Sequence, residues 1–186
     1  MEINLSWDLF IIVFFTIIVA YTFIIGRNQS VKVIISTYIA ILSADSIGNI
    51  LQKYFLSANP AVKIMSFEDV DSTLVLVKIT IFILSIILIT TKGKFHINIG
   101  KADSVIMRMF FSISYGVLSA GLIISTLLIY SSGASLVQVS DVVMNQAVLA
   151  LYKDSQLVRL MVNNYNVWFS FPAIAFVFSS FFGEEE

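Results

Sequence analysis

The chain has 186 residues, of which 58% are hydrophobic and only 12% charged, with a mean hydropathy of +0.93. Soluble domains carry about 25% charged residues, so this composition is that of a membrane protein. A net charge of −1 excludes a polycationic nucleic-acid surface, the lack of cysteine excludes disulfides and thiolate chemistry, and a single histidine excludes a histidine cluster.

The opening MEINLSWD has no basic n-region, and no small-x-small cleavage site follows it, so the first apolar segment is expected to stay rather than be removed as a signal peptide. Leu9 to Ile25 runs 17 residues without a charge behind Trp7. At 1.5 Å per residue this nearly matches a hydrocarbon layer of ~30 Å, which predicts a span over about residues 8–26. A second span is expected over 32–53, although Asp45 should cost about 2.5 to 3.5 kcal/mol at mid-helix. The alternative for this stretch is an amphipathic helix lying at the surface. Thr73 to Thr91 is 19 residues interrupted only by Lys78, and Met109 to Tyr130 is 22 uncharged residues; these predict spans over 73–91 and 108–130.

Charge placement tests the second span. With four spans and the N-terminus outside, the inner loops hold six cations, Arg27, Lys32, Lys92, Lys94, Lys101 and Arg108, against one acid, Asp103. Were residues 33–51 on the surface, the basic turn at 27–32 and the basic loop at 92–108 would face opposite sides. Lys and Arg concentrate in cytoplasmic loops, so four spans with the basic loops inside is the expected arrangement. The stretch KGKFHINIGK, with Lys92, Lys94, His96 and Lys101, then reads as an inner anchor or as a contact for anionic lipid or a partner.

Asp45, Asn49 and Gln52 share one helical stripe, with Ser46 beside it, and such a stripe must face protein or a water-filled cavity. Lys78 is placed to neutralise Asp45 across the next helix. The expected role is a buried pair that fixes helix packing; the other is an ion or proton relay. Ser112, Gly116 and Ala120 form a small-xxx-small seam for close helix approach, within the chain or between copies.

After Tyr130 comes the loop SSGAS. Val139, Val143, Ala147 and Leu151 then recur every four residues in a segment too polar to span, which predicts an amphipathic helix on the membrane surface or the bundle. NNYN marks a turn. Val167 to Phe182 is apolar but only 16 residues long, and Pro172 breaks it or starts a helix at its first position. It is expected to re-enter or lie at the interface, leaving GEEE on the outer side. The chain thus divides into a transmembrane bundle at 1–132 and a C-terminal segment at 133–186.

No Walker loop, dinucleotide fingerprint, HExxH or G-x-S-x-G occurs. No cofactor or metal is expected, and no acid–base pair or partnered nucleophile can be assembled for an enzyme.

The order of an apolar first helix closing on IIGRNQSVKVIIS, then RMFFSISYGVLSAGLIISTLL and the late LYKDSQLVRLM, resembles the colicin V production protein (CvpA) family over about residues 5–165. The matching positions are Gly26, Arg27 and Lys32 in the first hairpin, Gly116, Ala120 and Gly121 in the fourth helix, and Ser155 and Leu157 in a Ser-x-Leu element. The resemblance implies a bacterial inner-membrane protein associated with toxin export and envelope maintenance, with no established catalytic residue. The expected molecule is an all-α integral membrane protein and a non-enzymatic accessory or scaffold. Its expected partners are membrane lipids, a second copy of itself and an envelope or export protein. The alternative is an oligomeric channel or transporter using the stripe around Asp45.

Overall fold

Among the described residues four helices are long and apolar enough to cross a membrane, matching the four predicted spans. The structure, a computed structural model, describes residues 7–56, 70–94, 105–133, 136, 152–153 and 155–181. Within these lie α1 (Trp7–Ile25), α2 (Arg27–Leu51), α3 (Val70–Lys92), α4 (Val105–Ser131), α5 (Gln156–Asn163) and α6 (Tyr165–Phe181), with no strand among the described residues. A π-helical turn, Gln52–Leu56, extends α2.

Helix α2 begins at Arg27, five residues before the predicted span, because the link from α1 is the single residue Gly26. Its φ of +80° and ψ of 172° lie in a region open essentially to glycine alone. The Gly26 amide donates to the Thr22 carbonyl, and the Gly26 carbonyl accepts from both the amide and the hydroxyl of Ser30. This knot binds the polar backbone of the turn within the protein.

Two cations tie the same end of the bundle together. Lys32 is buried and its Nζ donates to the Gly93 carbonyl at 2.7 Å, just past the end of α3, where the helix dipole favours a positive charge. The Arg27 guanidinium lies 5.8 Å from the ring centre of Phe111 in α4. The start of α2, the end of α3 and the start of α4 therefore share one end of the bundle, with Lys92 and Lys94 exposed there. This is the gathering of basic loops on which the charge argument depends. His96 and Lys101 lie outside the described residues.

Helix α2 packs along α3, α1 packs along α4, and contact between α2 and α4 joins the pairs. Only 11% of the α1 span is buried, against 67% of the α4 span, so α4 is the central rod and α1 faces outward. Ile17, Ile24, Leu76, Leu88 and Phe110 form an apolar exterior suited to acyl chains. Val31, Ile34, Phe82, Tyr115, Leu122 and Tyr130 fill the interior.

Within the helices, hydroxyls bond mostly back into the backbone. Ser36, Thr37, Thr126 and Ser131 each donate to the carbonyl four residues earlier, at 2.7, 2.8, 2.7 and 2.8 Å. Small polar residues thus enter an apolar interior with their donors satisfied.

The C-terminal segment does not turn back at Pro172. Helix α6 runs continuously through it, although Pro172 has no N–H to return to the carbonyl of Trp168. Neighbouring helices grip the α6 backbone instead: the Tyr38 hydroxyl of α2 donates to the Phe169 carbonyl, and the Tyr115 hydroxyl of α4 donates to the Ala175 carbonyl at 3.1 Å. Trp168 sits against Gly121, where a Cβ would come within 2.0 Å of the indole. Trp7 and Phe181 therefore lie at opposite ends of the bundle, whereas a re-entrant segment would bring its end back to its own side.

The predicted amphipathic repeat at Val139, Val143, Ala147 and Leu151 lies outside the described residues. What is described is the short α5, whose Val158, Met161 and Val162 pack on Ile11, Ile124 and Leu128.

Candidate functional site

Asp45 of α2 and Lys78 of α3 meet as the sequence predicts. The Lys78 Nζ lies 3.4 Å from Asp45 Oδ1, and the residues are 3% and 0% exposed, so this pair is sealed from solvent. A single buried charge would be prohibitive; two that neutralise each other can be held if further hydrogen bonds complete them. One such bond comes from Leu136, whose amide donates to Asp45 Oδ2 at 3.0 Å. The Leu136 amide, five residues past the end of α4, thus forms a roof over the pair.

Gly48 makes the geometry work, and the polar-stripe reading missed it. It lies one turn after Asp45, and a Cβ there would come within 2.6 Å of Lys78 Cε and 2.7 Å of Cγ. The lysine stem therefore lies flat across the bare glycine backbone to reach the carboxylate. The spacing of three puts Gly48 on the helical face of Asp45, but nothing in that spacing announces the stem that crosses it. Below the pair, Phe82 and Tyr130 pack edge to face with centroids 5.8 Å apart, and the Tyr130 hydroxyl donates to the Ile41 carbonyl at 3.1 Å. The pair is level with the end of α4, above an aromatic floor.

The rest of the predicted stripe does not gather around it. Asn49 is half-buried, while Ser46 and Gln52 are exposed. Ser46 projects about 100° round the helix from Asp45, and Gln52 opens the π-helical turn past the end of α2, so the described residues present a closed contact and not a continuous polar track. Among the described residues no three His, Cys, Asp or Glu side chains come together to hold a metal ion.

The small-residue seam is internal. Ser112 Oγ donates to the Thr22 carbonyl at 3.1 Å, Ala120 is fully buried, and a Cβ on Gly116 would come within 2.3 Å of Thr22 Oγ1 and 3.2 Å of Val19 Cα. It seats α1 on α4 within one chain.

Sequence reasoning gave Asp8 no role, but it organises the Trp7 end. Its Oδ1 accepts from the Ser155 hydroxyl at 2.5 Å and from the Leu157 amide at 3.1 Å. Ser155 is also the N-cap of α5, accepting from the Val158 amide at 3.0 Å. A carboxylate thus holds the positive end of a short helix against α1. The Ser-x-Leu element is this cap, contributed by the Ser155 hydroxyl and the Leu157 amide. Comparison of the chain with protein-family models, with curated proteins and with solved structures finds no match.

Proposed function

We propose that this polytopic membrane protein is a scaffold, not a conductor, and that the Asp45–Lys78 pair fixes the register of α2 against α3. The observation that carries this reading is how the main polar groups of the bundle are employed. Asp45 holds Lys78 and the Leu136 amide, Lys32 holds the end of α3, Asp8 holds the start of α5, and three tyrosine hydroxyls hold backbone carbonyls. Each is a tie between elements of one chain. The partner-facing parts are then the basic end, with Arg27, Lys92 and Lys94, and the lipid-facing helices. An accessory role in envelope maintenance or export is the setting that the colicin V production resemblance implies.

The test is ion and proton flux in liposomes containing the wild-type chain or the Asp45→Asn/Lys78→Met variant. A scaffold gives flux at the level of protein-free lipid in both cases, with assembly retained. Wild-type flux abolished by the double substitution in a folded protein would establish the channel reading instead.

A further inference from the structure

The geometry points to α5 and α6 forming together a fifth, broken membrane crossing, so that the chain beyond Phe181 emerges on the side of Arg27 and Lys94, opposite Trp7. This inference does not rest on the scaffold reading. It rests first on the order of contacts. Ser155 touches Asp8 in the first turn of α1, Met161 receives the Ser125 hydroxyl at 3.8 Å, Trp168 packs on Gly121, and Ala175 receives Tyr115. As the segment advances from 161 to 168 to 175, its partners on α4 retreat from 125 to 121 to 115. The two run antiparallel, and α4 itself starts at the basic end.

Contacts with the other helices agree. Trp168 meets Phe15 of α1 with ring centroids 6.1 Å apart, and Phe169 receives Tyr38 of α2, both near the middle of their helices. From Ala175, six further residues carry α6 about 9 Å onward at 1.5 Å per residue. That is the distance along α4 from Tyr115 to Met109, where its uncharged run begins.

The surface of α6 supplies a second argument. A helix lying in the interface needs a polar face, but α6 turns Val167, Phe171, Ile174, Val177 and Phe178 outward while Phe169, Ala175 and Phe176 pack on the core. A helix apolar on both sides, with one side on the bundle, belongs among acyl chains. Its length, about 25 Å, is short for a crossing alone, and α5 descending from Asp8 makes up the remainder. The break falls at Asn163 and Asn164, where the Asn164 side chain donates to the Leu160 carbonyl at 2.9 Å and so covers the end of α5.

Since the chain has no cysteine, single Lys94→Cys, Lys153→Cys and Gly183→Cys variants can be labelled with a membrane-impermeant maleimide in sealed vesicles of both orientations. Gly183→Cys should label together with Lys94→Cys and oppositely to Lys153→Cys. Labelling with Lys153→Cys, or only after detergent, would overturn the crossing. A protease site appended after Glu186 of the otherwise unaltered chain gives a check free of substitutions. It should be cut only from the Lys94 side, and cutting from the other side would refute the inference.

Discussion

Neutralising the buried pair one member at a time, and then both together, separates a structural tie from a surface contact. Lys78→Met keeps the apolar stem that lies across Gly48 but takes the ammonium away from the Asp45 carboxylate, which is 0% exposed. Removing one partner of a buried pair costs about 3 to 5 kcal/mol, and the carboxylate is too short to reach water. Asp45→Asn leaves the opposite charge, and here the lysine has a way out, since its long stem can carry the ammonium toward the end of the bundle. This variant should lose less, about 1 to 3 kcal/mol, because its carboxamide still accepts from the Leu136 amide. In the double variant no charge remains, the stem still covers Gly48 and the roof bond is kept, so the cost should fall to about 1 kcal/mol. The resulting coupling is about 3 kcal/mol or more, well beyond that of an exposed pair. Unfolding of the purified protein in mixed micelles, followed by tryptophan fluorescence, measures all four proteins. A coupling below about 0.5 kcal/mol would mean that the pair contributes no more than a surface contact, and the proposed register role would be lost.

Other sites give sharper local tests. Gly116→Ala should lower stability by about 1 to 3 kcal/mol through the approach to Thr22 Oγ1, and Thr22→Ala in the same chain should restore part of it, measured by the same unfolding assay. Gly26→Ala should cost about 1 to 3 kcal/mol because its φ of +80° is closed to a side chain, although nothing lies within 4 Å of the new Cβ. Lys32→Met should speed amide hydrogen exchange in the last turn of α3, where the Gly93 carbonyl loses its donor, without matching change in α5. Ser155→Ala should have the reverse pattern, loosening amides 156–158 at a cost of about 1 kcal/mol.

The spans were legible because a lipid environment leaves little choice: long uncharged runs must be helices, and their order dictates a bundle. The Asp45–Lys78 contact was legible for the same reason, since each charge needs the other. What escaped was detail set by small residues and by neighbours far away in the sequence. Gly48 matters only because Lys78 crosses it, and no pattern within α2 reveals a stem arriving from α3. Pro172 read as a break or as the start of a helix because its local effect is to remove a hydrogen bond. Two tyrosines, distant from Phe169 and Ala175 in sequence, hold the helix across that gap. Asp8 receives a helix more than a hundred positions away, a partner that no local pattern announces. Beyond the predicted amphipathic repeat, Ser155 caps a short element whose apolar side packs on α1 and α4.

These ties have a common logic that favours architecture over transport. A pathway needs polar groups that can exchange partners, and so they are left partly hydrated or placed in series. Here the strongest polar contacts lie at the two ends of the bundle, Asp8 and the Asp45–Lys78 pair at one and Lys32 with Gly93 at the other, while the middle is held by Phe82, Tyr115, Leu122 and small residues in close contact. Each end-tie joins elements that the apolar core alone would let slide, because a smooth helix surface fixes distance better than register. Hydrogen bonds to charged groups are directional and strong in a low-dielectric setting, so a few of them suffice to choose one register among several of similar packing energy. On this argument, replacing the end-ties should broaden the set of conformations before it unfolds the protein. Two engineered cysteines, Ser46→Cys in α2 and Leu76→Cys in α3, each spin-labelled, should show a distance distribution that widens in Lys78→Met and narrows again in the double variant with Asp45→Asn. A distribution unchanged by Lys78→Met would show that packing alone sets the register.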